Sequence, residues 1–273
     1  MKKILFAGLL VTAFTAQAQE KFAPVKTISY GGFGAFLPSS DMKDNSMIDN
    51  GINFSVGHFQ SVTKPYKLGT NGFFRLGLEA RLIYSKFEKD LQPPASIRAL
   101  RYDNGSGTPA ALAINYETLK KKPDAFHYLL GPSALFGWNK FFLQPSVLFG
   151  YASVSQEQFR FYDVLHLTTD PAQDTPIDYY TAGHETNNGF VVVPGVKAGW
   201  RLHKSVAAFV SVDYSMGSKQ EFEDKVYQPS GTPDGQGIYD FSEMAGGTLV
   251  PYARSGKLRA LMVNVNLAFT IGK

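Results

Sequence analysis

The stretch Phe73–Phe87 constrains the fold most. Its alternate residues divide into two sets: Phe74, Leu76, Leu78, Ala80, Leu82 and Tyr84 against Arg75, Gly77, Glu79, Arg81, Ile83 and Ser85. Successive side chains of a strand point to opposite sides, so a period of two builds a strand with one apolar face. A helix would scatter these charges around its circumference. The run is also longer than the usual globular strand of about 5–6 residues. A long strand that is apolar on one side, and charged and glycine-bearing on the other, suits the wall of a transmembrane barrel.

The same design recurs along the chain. Thr27–Leu37 is apolar and glycine-rich and reads as a first strand, though its phase is ambiguous. Gly51–Val62 alternates Ile52, Phe54 and Val56 with Asn53, Ser55 and Gly57. Further strands are expected over 126–138, 141–153, 190–200, 206–214 and 258–271. Between Trp138 and Phe141 stands Asn139-Lys140. Asn tolerates the left-handed backbone of a two-residue hairpin, and that turn pairs Trp138 with Phe141 and Phe136 with Leu143, apolar face to apolar face. The expectation is an all-β, antiparallel, up-and-down transmembrane barrel of about eight strands.

Connections sort by length. Short turns follow the second, fourth and sixth strands, whereas long polar loops are expected near 39–50, 89–124, 155–188 and 218–257. All long loops thus fall at one rim, as in outer-membrane barrels. Both tryptophans, Trp138 and Trp200, end strands just before short turns. With Phe141 they form one girdle at the membrane–water interface, and Tyr84, Tyr128, Tyr151 and Tyr214 form another.

Residues 1–18 read as a cleaved secretory signal: Lys2 and Lys3, an apolar run Ile4–Phe14, and the small-x-small site Ala16-Gln17-Ala18. Residues 19–25 make a short lead, and 26–273 the barrel. Cleavage changes the net charge from +4 (27 minus 23) to +2 (25 minus 23), too balanced to suggest nucleic acid. No cysteine is present, which excludes disulfides, thiolate metal sites and a lipid-modified N-terminal cysteine.

On topology and alternation, residues 26–273 resemble the small OmpA/OmpX-type outer-membrane β-barrel family of Gram-negative bacteria. The resemblance implies an outer-membrane location among lipid and lipopolysaccharide. It also implies an aromatic end read by the barrel-assembly machinery, a part that falls to Phe269 in Phe269-Thr270-Ile271-Gly272-Lys273.

An eight-stranded barrel leaves room only for side chains inside. Arg75, Glu79, Arg81, Gln144, Lys197, Arg201, Asp213, Asn264 and Asn266 are expected to point inward as a paired plug; the sharper alternative is a narrow pore. A lipid-modifying enzyme would need a nucleophile beside a base. His127 and Ser85, with Asp124 or Glu88 to orient the histidine, are the candidates, but no catalytic motif surrounds them. His58 reads as a neutral ring at headgroup level.

In the loops, His166 and His184 stand among Asp163, Asp170, Asp174, Asp178 and Glu185 without EF-hand spacing. Lys120-Lys121-Lys122 is either a solvated run or a clamp for lipopolysaccharide phosphates. Tyr162, Tyr179, Tyr180, Tyr227, Tyr239, Phe241 and Tyr252 offer a contact surface or pack the loops together. The expectation is a non-enzymatic barrel with no metal or cofactor, serving the envelope or binding a surface protein or glycan.

Overall fold

A computed structural model describes residues 25–40, 43, 48–87, 93–120, 124–183 and 185–271. The signal segment, most of the lead, Glu88, Lys121, Lys122 and His184 lie outside the described residues. The strands are β1 (Thr27–Pro38), β2 (Gly51–Ser61), β3 (Tyr66–Leu68), β4 (Gly72–Phe87), β5 (Arg101–Asp103), β6 (Pro109–Ala111) and β7 (Asn115–Lys120). They continue with β8 (Asp124–Trp138), β9 (Phe141–Ser155), β10 (Gln158–Leu165), β11 (Thr175–Ala182), β12 (Thr186–His203), β13 (Val206–Gln228) and β14 (Thr248–Ile271). Two short helices, α1 (Ala95–Arg98) and α2 (Phe241–Ala245), join them.

One antiparallel sheet of twelve strands holds all but β5 and β6. Its path β12-β9-β8-β4-β2-β1-β14-β13 closes on itself because β12 also pairs with β13. Closure leaves no open edge in the wall, the condition a spanning sheet must meet in lipid. β3 adds to β4, and β11, β10 and β7 branch from the far half of β13. The expectation of about eight strands is therefore corrected: the main sheet has twelve, and β5 and β6 form a second, two-stranded sheet. The difference comes from β3 in the 63–71 connection, from β5, β6 and β7 in 89–124, and from β10 and β11 in 155–188. The stretch 218–257 is largely the continued β13–β14 ladder.

The outward face shows where the membrane lies. Along β14, Phe269, Leu267, Val265 and Leu261 are exposed and apolar, and then the same face turns to Arg259 and Lys257. On β13, Val210, Val212, Tyr214 and Met216 give way to Lys219, Glu221, Glu223 and Lys225. The change falls at one level, because Met216 pairs with Arg259, and the ladder is irregular between Met216 and Lys219. The apolar band from Leu261 to Phe269 matches the roughly 9–11 residues a tilted strand needs to cross a bilayer.

The inner face is the reverse. On β4, Arg75, Glu79, Arg81 and Ser85 are buried while Leu76, Leu78 and Leu82 are about half exposed. Water would not tolerate an apolar wall around a charged interior, and lipid requires one. The chain is an outer-membrane β-barrel.

Beyond the bilayer the strands continue. β13 and β14 run for 23 and 24 residues, about twice what crossing requires. Above Met216 the outer edge of β13 changes partner from β12 to β11, through Tyr180↔Val226 and Ala182↔Asp224. The layer so formed has its own core, in which Ile97, Tyr102, Leu165, Ile177, Tyr179, Tyr227 and Met244 are buried. Phe159, Phe161, Tyr180 and Ala182 pack under the branching strands. Tyr179, Tyr180 and Tyr227 are therefore core residues of a folded layer, and Tyr252 is the exposed one of that set.

Candidate functional site

The barrel lumen is filled in three tiers. At the short-turn end Ile28, Phe59, Phe73, Leu135, Phe142 and Phe209 form an apolar plug. At the other end a second apolar cluster includes Phe36, Ile83, Phe87, Leu129, Leu148, Val191, Val193, Phe222 and Met262. Between them lies a node of buried charge.

Glu79 on β4 is the centre of that node. Lys197 Nζ on β12 donates to both of its carboxylate oxygens, at 2.7 and 2.6 Å. Arg81 Nη2 donates to Oε1 at 2.8 Å, and Gln144 Nε2 on β9 donates to Oε2 at 2.9 Å. The Tyr30 hydroxyl on β1 also donates to Glu79 and accepts from Arg81 Nε at 2.9 Å. Gln144 Nε2 further donates to Ser133 Oγ at 2.9 Å. On its far side the Arg81 guanidinium forms an ion pair with Asp213 Oδ2 of β13, at 2.7 Å.

Two carboxylates thus balance two cations, and Glu79, Arg81, Lys197 and Asp213 are each at most 2 % exposed. Buried charges persist only when paired and hydrogen-bonded in this way. The strands that bring them together are distant in sequence, and the node ties β1, β4, β9, β12 and β13 across the lumen.

Small residues make the room. A Cβ on Gly57 would stand 2.2 Å from the Tyr30 ring, so the missing side chain lets that ring lie across β2 toward Glu79. Gly195 likewise leaves space beside Asp213, where a Cβ would come within 2.0 Å of Oδ1.

The remaining inward residues divide. Asn266 accepts from Ser55 Oγ at 3.2 Å and is buried, as is Asn264, whose two amide atoms have no hydrogen-bond partner among the described residues. Arg75 is buried toward the short-turn end, below the node, and its Nε is also without a hydrogen-bond partner there. Arg201 differs from expectation. It is half-buried at the β12–β13 turn, where its guanidinium donates to the carbonyls of His203 and Lys204, and it takes no part in the node. It stands two residues from the end of β12, beside the carbonyls of the turn.

On the wall, Trp138 and Trp200 are exposed, with Phe141 beside Trp200 at a ring separation of 6.4 Å. Tyr84 packs on Phe126, and Tyr151 on Phe190, while Tyr128 and Tyr214 are exposed. His58 lies on the lipid-facing wall, its Nδ1 2.9 Å from Ser29 Oγ. A shallow furrow of about 570 Å³ beside it is lined by Val56, Ala80, Leu82, Tyr128, Leu130 and Phe149.

Among the described residues, His127 and Ser85 do not hydrogen-bond to each other. His127 is fully buried and its Nε2 lies 3.4 Å from Ser215 Oγ on β13, while the Ser85 hydroxyl has no hydrogen-bond partner among the described residues. Neither side chain opens to solvent.

A second polar node, not foreseen from sequence, anchors the outer layer. Asp224 on β13 receives hydrogen bonds from Arg254 on β14, from the Tyr180 hydroxyl on β11, and from Gln156 Nε2 at 2.9 Å. Burial raises the Tyr180 hydroxyl well above its ordinary pKa. Burial also pushes the Tyr227 hydroxyl, which donates to the Met244 carbonyl, up to about 12. The outer face of β7, β10 and β11 carries Arg160, which pairs with Glu117 at 2.7 Å and Asp178 at 3.3 Å and stacks over Tyr162 at 4.8 Å. His166 and Asp174 form an exposed pair at 2.7 Å, and no cluster of three or more metal-ligating side chains occurs among the described residues.

No protein-family model matches the chain, and no curated protein matches it. Solved structures that it resembles are outer-membrane proteins. The outer membrane protease OmpT of Escherichia coli matches at 11% identity and a TM-score of 0.40, over 82% of this chain and 65% of its own length. A major outer membrane protein of Thermus thermophilus matches at 12% identity and a TM-score of 0.42, over 90% of this chain and 99% of its own. Ail, the attachment invasion locus protein of Yersinia pestis, matches at 9% identity and 0.35, over 89% and 99%. Overlaps of this size speak of neither activity nor partner. The twelve-stranded main sheet corrects the resemblance to the small eight-stranded OmpA/OmpX-type family.

Proposed function

We propose that the chain is a non-enzymatic anchor that holds a folded layer out from the outer membrane for contact with a surface protein or glycan. The short turns then face the periplasm and the layer faces outside, the usual sense of such barrels. The observation that supports the reading is the layer's construction. It has a buried core of its own and is carried on strands continuous with the wall. Its face with Tyr162 and the Arg160–Glu117–Asp178 network is rigidly presented, and aromatic rings beside charged groups on a rigid support are common contact chemistry.

The test is adhesion of cells that display the wild-type chain or Arg160→Ala/Tyr162→Ala to arrays of glycans and extracellular matrix proteins. Binding by the wild type that the variant loses, at equal surface display, supports the reading. Failure of displayed wild-type protein to bind anything on the arrays counts against it.

A channel is disfavoured by the two apolar plugs and the closed charge node. A lipid-modifying activity is disfavoured by the burial of Ser85 and by that of His127, whose nearest partner is Ser215 rather than Ser85. Lipid A mass spectra with and without the protein should coincide.

A further inference from the structure

The two ends of the barrel differ in charge. Among the described residues, the segments at the short-turn end lack Asp and Glu: 25–35, 59–77, 134–146, 197–211 and 260–271. The same segments carry Lys26, Lys64, Lys67, Lys140, Arg201 and Lys204 at the rim. The carboxylates of the described residues lie in the wall interior or at the opposite end.

The β2–β4 connection stands out within this rim. It is not a tight turn. After β2 the chain breaks at Thr63–Pro65, resumes as β3 against the foot of β4, and turns back at Gly69, whose φ is +64°. Thr63 Oγ1 accepts from Leu76 N at 2.9 Å and fixes the flap to the wall. The flap lies level with the tryptophan girdle, since Leu68 pairs with Gly72 and Gly72 with Trp138.

Every residue from Val62 to Thr70 is exposed. Tyr66, at 74 %, is more exposed than any other large apolar or aromatic residue of the described chain, and Val62 is 65 % exposed. Tyr66 shares the register position of the outward Phe74, and so projects on the lipid side. Lys64, two residues before it, is also exposed, as is Lys26, whose carbonyl accepts from Ser61 N at 2.9 Å at the foot of β2.

A tyrosine and aliphatic residues with lysines alongside, at the level of a tryptophan girdle, match the chemistry of the headgroup layer: amphipathic rings at the boundary and cations at the phosphates. We propose that the β2–β4 flap binds anionic phospholipid of the adjoining leaflet. In this site Val62, Tyr66 and Leu68 seat at the acyl boundary, and Lys26 and Lys64 hold the phosphate. The site is independent of any partner of the outer layer, so either reading can fail alone.

The experiment is native mass spectrometry of the full chain extracted from bilayers of equimolar phosphatidylcholine and phosphatidylglycerol. The wild type is expected to retain phosphatidylglycerol over phosphatidylcholine on the order of tenfold, given the attraction of the two lysines for an anionic surface. Lys26→Gln/Lys64→Gln should retain the two equally while remaining heat-modifiable as a folded barrel. Lys219→Gln/Lys225→Gln in the outer layer should behave as wild type.

Equal retention by the wild type, or undiminished preference in the double variant, overturns the proposal. So does displacement of the lipid by inorganic phosphate, which would mark a site for the free anion. A separate readout is Tyr66→Trp with lipids brominated near the headgroup: quenching of the added fluorescence is expected, and its absence overturns the seating.

Discussion

At the scale of single residues, the lumen reverses the usual rule of protein interiors. Glu79 is held by one tyrosine, one amide and two cations, and no water-facing group shares the load. A node of this kind need not be more stable than an apolar core of equal volume, but losing one member leaves the others uncompensated, typically at about 3–5 kcal/mol. Glu79→Gln removes a charge while keeping an acceptor, and leaves Arg81 and Lys197 with Asp213 alone. It should lower the stability of the refolded barrel by about that amount, read as the shift in urea unfolding midpoint in lipid vesicles. Most of the node was legible in the sequence. Glu79 and Arg81 alternate with leucine and alanine, and lipid on one side enforces that alternation residue by residue. Tyr30 was not legible, because the glycines around it in Tyr30-Gly31-Gly32-Phe33-Gly34 blur the phase of β1, and its place depends on Gly57 in a different strand.

At the scale of elements, the wall strands could be read and the outer ones could not. In β8 and β9 the Asn139 turn set the register, and the observed pairs Trp138↔Phe141 and Phe136↔Leu143 follow, with Asn139 at φ 51°. In β10 the pattern is also strict, Phe159, Phe161 and Leu165 against Arg160, Tyr162 and Val164, but apolar residues occur on both sides and aspartate and proline surround it. In β13 the alternation slips by one residue between Met216 and Lys219 at the membrane exit, and the solvent on the outer face changes from lipid to water. Charged residues then move outward, and the run resembles a polar loop. The packing of these elements has a pH signature. Tyr227 keeps its proton in the folded layer up to about 12, whereas an unfolded tyrosine loses it near 10. The folded state therefore holds the extra proton, and the stabilisation is complete below about pH 10 and lost as pH rises toward 12. Hydrogen exchange of 93–120 and 230–249 should accelerate across that window before that of the wall strands does.

At the scale of the whole molecule, three filled tiers make the barrel a solid pillar. Refolded protein in planar bilayers should show no steady single-channel conductance, and a stable open level would mean that the apolar tiers part. The localisation could be read from sequence because the wall's exterior is uniform. The strand total could not, because fold size depended on segments whose partners are other loops and which carry no lipid-imposed pattern.

The β13–β14 ladder crosses from bilayer to outer layer with one irregularity and no hinge, from Val206↔Phe269 to Gln228↔Thr248. A load applied to the outer layer along the barrel axis would therefore run parallel to those strands and strain their hydrogen bonds in shear, many at a time. Antiparallel strands opened from one end yield bond by bond; strands pulled lengthwise do not. The molecule is built as a mast stepped into the membrane, and under tension the weak point is the grip of lipid on its foot.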